Sequence, residues 1–215
     1  MSDADLAAAR ALFAAGAYDR LGRLLPQLLD GAEHGVGAGP AGAARAAGAW
    51  VLVSQLAVKQ SRTEPAGAYA GLAGAAARRC GNPVVLAAAA RAGATPLRRT
   101  GRVPEALALL QDARDRLTAA SRPSVAELDL AGMVELTAAY TAAQAHHAAL
   151  ARDFADAADE TAQRLARRPY DGGRRPLLSA SQCTLYRIGI HRHLGDVDTA
   201  LAHAARLDPR ALPTA

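Results

Sequence analysis

Histidines are the side chains of this sequence best suited by type to metal binding or proton transfer, but their spacing argues against both roles. His146 and His147 are adjacent, so on a helix they point toward different faces. His191 and His193 are two residues apart and also diverge. The acids that follow the first pair, from Asp153 onward, lie close to a helix start, where they offset the helix dipole. We therefore predict no metal site and no cofactor.

Motifs of catalysis are also missing. No P-loop, HExxH or GxSxG pattern occurs. The glycine-rich run Gly35–Pro40 follows no predicted strand, so we interpret it as a loop between helices. Cys80 and Cys183 are far apart and form no CxxC motif, which favours reduced thiols in a cytosolic protein. The sequence therefore predicts a cytoplasmic protein that is not an enzyme.

The composition predicts an all-α protein. Hydrophobic residues make up 51% of the 215 residues and charged residues only 21%, which is too apolar for a disordered chain. Aromatic residues make up 4%, too few for an aromatic-rich β-sandwich, whereas alanine, the best helix former, is abundant. The net charge of +5 comes from scattered arginines, with Lys59 as the only lysine, and this pattern is typical of solvated helix faces.

No segment is predicted to enter a membrane. The N-terminal residues Met1–Asp5 are acidic and lack the apolar core of a signal peptide. No apolar run reaches the ~18 residues that a transmembrane helix needs.

Glycine and proline clusters divide the chain into segments with helical periodicity and few β-branched residues. The predicted helices cover residues 3–15, 18–33, 41–60, 65–80, 84–99, 103–120, 125–146, 149–167, 179–194 and 197–206. Consecutive helices are expected to pair into five hairpins, in repeats of approximately residues 1–37, 38–82, 83–122, 123–176 and 177–215.

The turn within each predicted hairpin has a common pattern. A glycine is followed by a bulky apolar residue two positions later and by a small or apolar residue five positions later, as at Gly16, Gly101 and Gly195. Ser61 and Arg152 fit the pattern more weakly, and the spacings between the five turn residues are 45, 40, 51 and 43. Repetition at such intervals is typical of stacked arrays, because a lone hairpin cannot bury its apolar face.

The pattern also predicts where paired helices approach closely. Glycine closes a tight turn because it tolerates positive φ, and a small residue five positions later lets the second helix come near the first. We therefore expect tight packing at Ala66, Ala106, Ala157 and Ala200. Trp50 is expected to lie in the core.

The chain resembles tetratricopeptide repeats (TPRs). The run Gly101–Ala113 matches the second half of a TPR unit, and Trp50 occupies the aromatic position of the family's first helix. Pro169 matches the proline that closes a unit, while Leu25 and Leu110 match a large apolar position of the second helix. The resemblance implies a single right-handed superhelical domain over all 215 residues, in which the first helix of each pair lines a concave groove.

Three segments carry a narrower resemblance. Ala14–Leu29, Tyr186–Asp196 and Asp208–Ala215 look like parts of the C-terminal helical-repeat region of actinobacterial XRE-type transcriptional regulators. Those proteins usually carry an N-terminal helix-turn-helix DNA-binding domain, which is not visible in this sequence. The resemblance therefore implies either an excised sensor region or a stand-alone relative, with DNA bound only through a linked domain.

The TPR resemblance also implies which residues line the groove, namely those thirteen, ten, six, three and two positions before each turn residue. The candidate ligand-binding residues among them are Arg10, Gln55, Lys59, Arg91, Thr95, Arg98, His146, Gln182, Arg192 and His193. Apart from Asp3 at its start, this set of positions contains no acid, so it suits an anionic or carboxylate-bearing ligand such as a peptide C-terminus. Solvation of a groove rim is the alternative explanation.

The resemblances imply a binding module of a transcriptional regulator. A peptide, a small-molecule signal or a partner protein would bind in the groove and shift the dimerisation or DNA binding of a linked domain. A stand-alone interaction scaffold is one alternative, and an enzyme on a helical scaffold is another that no motif supports. Direct DNA binding by this basic chain is a further alternative, and the chain could form a homodimer.

Overall fold

The computed structural model of the chain describes residues 1–119, 121–169, 176–208 and 210. These residues form ten α-helices and no strand, which confirms the all-α prediction. The helices are α1 (Asp3–Ala14), α2 (Tyr18–Gly35), α3 (Gly39–Lys59), α4 (Thr63–Cys80), α5 (Pro83–Arg99), α6 (Val103–Thr118), α7 (Val125–Gln144), α8 (Ala148–Ala166), α9 (Ala180–His193) and α10 (Val197–Arg206). Each helix begins and ends within two residues of its predicted bounds. Most of the breaker segment at 168–176 lies outside the described residues.

Local sequence sets several helix starts. Ser2 and Ser124 each accept a hydrogen bond from the backbone N–H three residues later. In return, the backbone N–H of each serine donates to the carboxylate of Asp5 or Glu127, which completes a capping box at the start of α1 and of α7. The side chain of Asn82 caps α5 in the same position.

Five helix–helix connections share one backbone turn. Its central residue has a left-handed φ between +59° and +78°, and in chain order this residue is Gly16, Ser61, Gly101, His146 and Gly195. The N–H of the central residue donates to the carbonyl three residues earlier, and the next N–H donates to the carbonyl five residues before it. This Schellman arrangement ends α1, α3, α5, α7 and α9, which we call the first helices; the helices that follow them are the second helices.

The fourth turn corrects the sequence prediction. Arg152, the predicted turn residue, lies inside α8, and His146 occupies the left-handed position six residues earlier. The observed spacings between turn residues are therefore 45, 40, 45 and 49. The prediction was wrong because Phe154 and Ala157 complete the turn pattern after Arg152, whereas a non-glycine residue at positive φ is uncommon.

The position five residues after each turn residue is buried. The residues there are Leu21, Ala66, Ala106, Ala151 and Ala200. Four of them have no exposed surface, and Ala200 is 7% exposed. Three of the four alanines predicted to pack tightly, Ala66, Ala106 and Ala200, are buried. The prediction is wrong at Ala157, which is only half-buried, because Ala151 occupies the position five residues after the observed turn residue.

The described residues group into two compact units. Unit 1 is Met1–Arg102 and contains α1 to α5. Its central helix is α3, which packs against α1, α2, α4 and α5. Trp50 on α3 is 4% exposed and stacks on Tyr69 of α4, which confirms its predicted place in the core. The hydroxyl of Ser54 donates to the carbonyl of Ala66 over 2.8 Å and fixes α3 against α4.

Unit 2 comprises the described residues from Val103 onward and contains α6 to α10. Its central helix is α7, which packs against α6, α8 and α9, while α9 also packs against α8 and α10. Leu128, Met133 and Leu136 of α7 form the core with Leu165 of α8 and Cys183 of α9.

One helix in the described part of the chain, α3, is long and apolar enough to span a membrane by length and composition alone. Its 18-residue window has a mean hydropathy of 1.2, and 67% of that window is buried inside the protein. The core helix of a globular unit satisfies the same criterion, and the contacts of α3 with four neighbouring helices account for its apolar sequence.

Candidate functional site

Neighbouring first helices of unit 1 bring predicted groove positions into contact. The Arg10 guanidinium of α1 lies over Gly48 of α3, where an added Cβ atom would come within 2.6 Å of Arg10 Nη2. On α5, Arg99 Nη1 donates to the carbonyl of Val58 on α3 over 3.1 Å. These two contacts lie on the predicted groove positions, and both α1 and α5 pack against α3.

We call the surface that carries the predicted site residues of these helices the unit 1 face. Its members are Arg10, Gln55, Lys59, Arg91, Thr95 and Arg98. Arg10 and Lys59 are exposed, and the other four are half-buried. Half-buried guanidinium groups suit ligand binding because their charges are screened less by solvent than those of fully exposed groups.

The unit 1 face is positively charged because α3 and α5 contain no acid. Neither helix includes an Asp or Glu, whereas every second helix carries at least one in the described residues. Unit 1 as a whole holds twelve Lys and Arg residues against six Asp and Glu residues. The face therefore offers a positive potential that favours anionic ligands.

In unit 2, the first helices α7 and α9 carry an aromatic and basic cluster. The Tyr140 hydroxyl lies 2.9 Å from His193 Nε2, and the two rings meet edge to face with 4.9 Å between centroids. The ring of Tyr186 meets that of Tyr140 edge to face at 6.3 Å. Arg192 Nη2 lies 3.3 Å from the same His193 Nε2.

Glycine makes this cluster possible. A Cβ atom on Gly189 of α9 would lie 2.8 Å from Tyr140 Cε2, so the absence of a side chain there leaves room for the phenol ring. We call the surface formed by Tyr140, Tyr186, Arg192 and His193 the unit 2 face. Its helix α9, like α3 and α5, contains no acid.

The structure places the predicted site residues of unit 2 in two regions. Arg192 and His193 join the unit 2 face, and Gln182 lies half-buried in the first turn of the same helix α9. His146 does not lie on a first helix: it is the exposed, left-handed residue of the α7–α8 turn.

Tyr140 was missed by the sequence prediction. One of the predicted groove positions lies six residues before the turn residue. When the observed turn residue His146 is used, this position is Tyr140. When the predicted turn residue Arg152 was used, it was His146 itself. A sequence signal for the correct count existed in Ala151, a small residue five positions after His146.

A carboxylate is buried in the core of unit 2. Glu135 is 2% exposed, Arg114 Nε donates to its Oε1 over 2.8 Å, and the Thr161 hydroxyl donates to its Oε2 over 2.9 Å. Burial raises the pKa of Glu135, and the two hydrogen bonds oppose that shift. Because α6, α7 and α8 each contribute one group, the network holds these helices together and is closed to a ligand.

Cys183 is unsuited to act as a nucleophile. Its thiol is buried beside the Ala158 carbonyl, and burial, reinforced by the negative charge of Asp159, raises its pKa to about 12. The thiolate is the reactive form, so this cysteine is inert near neutral pH. The neighbouring Arg187 pairs with Asp159 and with Asp156, its Nη2 lying 2.6 Å from Asp156 Oδ1.

The other histidine of α9 faces away from the unit 2 face. His191 is buried, with its Nδ1 3.1 Å from Asp196 Oδ2. Its ring stacks on that of His203 from α10. In the described ranges no group of three His, Cys, Asp or Glu side chains is arranged to hold a metal ion.

A shallow pocket in unit 1 lies at the C-terminal end of α2. It is lined by Asp30, His34 and Arg45 among others. His34 Nδ1 lies 2.8 Å from the Asp30 carbonyl, and Arg45 lies 3.9 Å from the carboxylate of Asp3. These charges offset one another, so the pocket lacks the one-sided charge of the unit 1 face.

No family model, curated protein or solved structure matches the chain.

Proposed function

We propose that the chain is a TPR-like binding module in which the first helices line a groove for an anionic partner, either a peptide or a small-molecule signal with carboxylate groups. The observation that carries the proposal is the absence of acids from α3 and α5, the two adjacent helices that supply most of the unit 1 face. The five shared turns and the contacts of α3 with α1 and α5, and of α7 with α9, support a repeat array.

The residues of the unit 1 face suit carboxylate binding. Arg91 and Arg98 lie two helical turns apart on one side of α5. Lys59 and Gln55 lie one turn apart on α3, so they also share a side. A guanidinium binds a carboxylate through two parallel hydrogen bonds, which supplies both energy and orientation. An extended acidic segment could therefore contact both helices.

We further propose a regulatory role, as the sensor region of an XRE-type transcriptional regulator that acts on DNA through a linked domain. The support for this step is the sequence resemblance together with charged groups that serve binding or helix packing rather than catalysis. A ligand would shift the regulator between states only if its affinity differs between two arrangements of the helices. The alternative is a stand-alone scaffold that joins two proteins.

A direct test uses a fluorescein-labelled acidic peptide with a free C-terminal carboxylate and follows its fluorescence anisotropy. Arg91→Glu should weaken binding at least about tenfold, because it replaces a charge-assisted hydrogen-bond donor with a repelling charge. Arg78→Glu is the matched control, since it makes the same charge change at an exposed position of the second helix α4. Equal losses in both variants, or no loss in either, would refute the proposed groove.

Direct DNA binding gives a different result in the same assay. A short DNA duplex bound through phosphates alone would dissociate steeply as salt is raised. The affinity of the protein for this duplex would fall by similar amounts in Arg91→Glu and Arg78→Glu, because every arginine of a diffuse basic surface contributes about equally to the binding of phosphates.

A further inference from the structure

We propose that the unit 2 face is a subsite for an aromatic side chain of the anionic partner, with the ring held by Tyr140 and Tyr186 and a neighbouring carboxylate held by Arg192. This inference rests on the proposed function, because the aromatic side chain is taken to belong to a partner with the anionic chemistry proposed there. It adds a chemical preference that the basic unit 1 face cannot supply.

The aromatic rings are arranged as a receptor for a further ring. Tyr140 makes edge-to-face contacts with Tyr186 at 6.3 Å and with His193 at 4.9 Å, so the three rings are steeply inclined around Tyr140. Tyr140, Tyr186 and His193 are all half-buried and keep part of their surface in contact with solvent. Aromatic pairs favour offset or edge-to-face contacts, and both remain available to a ligand ring on such a surface.

The cation of the subsite is positioned by a neighbouring side chain. His193 Nε2 lies within hydrogen-bonding distance of both the Tyr140 hydroxyl and Arg192 Nη2. The imidazole therefore orients the exposed guanidinium of Arg192 beside the tyrosine cluster. A carboxylate adjacent to the bound ring would receive hydrogen bonds from the remaining guanidinium N–H groups.

Two further observations identify a ligand that is both apolar and anionic. Leu185, one residue before Tyr186 on α9, is 39% exposed and is one of five exposed large apolar side chains among the described residues. The helix α9 carries no acid that would repel a carboxylate. Counting from His146 and Gly195 also places Tyr140, Leu185 and His193 on groove positions, which is independent of the ring contacts.

The first experiment measures the aromatic preference with two labelled acidic peptides of equal charge that differ only by phenylalanine or alanine at one position. The phenylalanine peptide should bind about tenfold more tightly, as expected for one aromatic contact with its buried area. Tyr186→Ala should abolish this preference. Since Tyr186 also packs against the core of unit 2, circular dichroism must show an unchanged helix content for that variant.

Substitutions at two exposed residues provide a second test. Leu185→Ala should reduce the preference for phenylalanine without affecting the fold, because its side chain lies partly in solvent. Arg192→Gln should weaken both peptides by the same factor and keep the preference. Equal affinities of the wild-type protein for the two peptides would overturn the aromatic subsite alone and leave the anionic groove intact.

A small probe tests the subsite independently of the peptide. Titration with 3-phenylpropionate should shift the ring NMR signals of Tyr140 and Tyr186. The variants Tyr140→Phe and Tyr186→Phe assign these signals. Propionate, which lacks the ring, is the control and should not shift them. If these signals shift but neither peptide binds, the subsite stands and the proposed groove falls. If 3-phenylpropionate leaves them unchanged, the subsite is refuted.

Discussion

The imidazole of His191 stacks on that of His203, with 5.4 Å between ring centroids and 26° between the ring planes. Asp196 faces His191, with its Oδ2 3.1 Å from Nδ1 of the ring. Burial lowers the pKa of His203, and the charges of His191, Arg187 and Arg206 lower it further, against a weaker opposing effect of Asp159. Protonation of His203 is therefore disfavoured in the folded chain.

We expect the contact between α9 and α10 to weaken as the solution is acidified below about pH 6.5. In the unfolded chain His203 binds a proton near its ordinary pKa of 6.5, whereas in the folded chain it does so only at a lower pH. Its contribution to stability is therefore fully present above pH 6.5 and is lost as the pH falls through the lowered value. Thermal melts at about pH 7.5 and about pH 5.5 measure the loss. His203→Gln should lose less stability over this interval than the wild type.

The control for this pH effect is His147→Gln, which changes an exposed histidine next to the α7–α8 turn. It should lose as much stability on acidification as the wild type. If His203→Gln behaves like His147→Gln, the stacked pair does not contribute to the pH dependence.

The observed turn at His146 is tested by adding volume at two alanines of α8. Ala151 has no exposed surface, so Ala151→Leu should overpack the contact between α7 and α8 and cost roughly 1–3 kcal/mol of unfolding free energy. Ala157→Leu makes the same change at the half-buried position that the sequence predicted, and it should cost much less. Urea denaturation of both variants measures the difference. A larger loss of unfolding free energy in Ala157→Leu than in Ala151→Leu would contradict the close packing of Ala151 and favour the turn predicted at Arg152.

This turn also shows where sequence reasoning reached its limit. Helix bounds were predictable because glycine, proline and capping serines act locally, as at Ser124 and Gly195. The fourth turn was predicted wrongly because a non-glycine residue at positive φ is uncommon and the residues after Arg152 also fit the turn pattern. The error of six residues moved the predicted groove position from Tyr140 to His146.

The buried groups of unit 2 were outside the reach of the sequence for a similar reason. Arg114, Glu135 and Thr161 lie on three different helices, and nothing in their spacing distinguishes this glutamate from a solvated one. In contrast, the positive charge of the unit 1 face was predictable, because the composition of α3 and α5 is a property of single segments. Contacts that join distant segments, like the position of the fourth turn, required the structure.

Glycine at the first turn is tested against a glycine inside the next helix. Gly16 has φ +67°, so Gly16→Ala should destabilise the protein by about 1–2 kcal/mol, the cost of a left-handed alanine. Gly22 lies in the exposed interior of α2 with open space around its Cα, so Gly22→Ala should stabilise by about 0.5–1 kcal/mol. Opposite shifts of the melting midpoint are expected. Shifts of the same sign would contradict the turn geometry.

The last prediction compares two arginines of α6. Arg114 donates to the buried carboxylate of Glu135, whereas Arg116 pairs with Asp112 one turn earlier on the exposed side of the same helix. Arg114→Ala leaves Glu135 Oε1 without this donor, and a buried acceptor without a partner costs about 1–3 kcal/mol. The side chain of Arg114 is 36% exposed, so water can replace part of the lost bond and the lower half of that range is expected.

Arg116→Ala should leave the midpoint of urea denaturation nearly unchanged, because exposed ion pairs contribute little. The two variants also differ in pH dependence. Without Arg114, the pKa of Glu135 should rise further, since the hydrogen bond and charge that oppose its burial are gone. A folded-state pKa raised above the unfolded value means that stability falls as the pH rises through it. Arg114→Ala should therefore recover part of its lost stability at about pH 5, and Arg116→Ala should show no such recovery. Equal behaviour of the two variants would mean that the carboxylate of Glu135 is solvated.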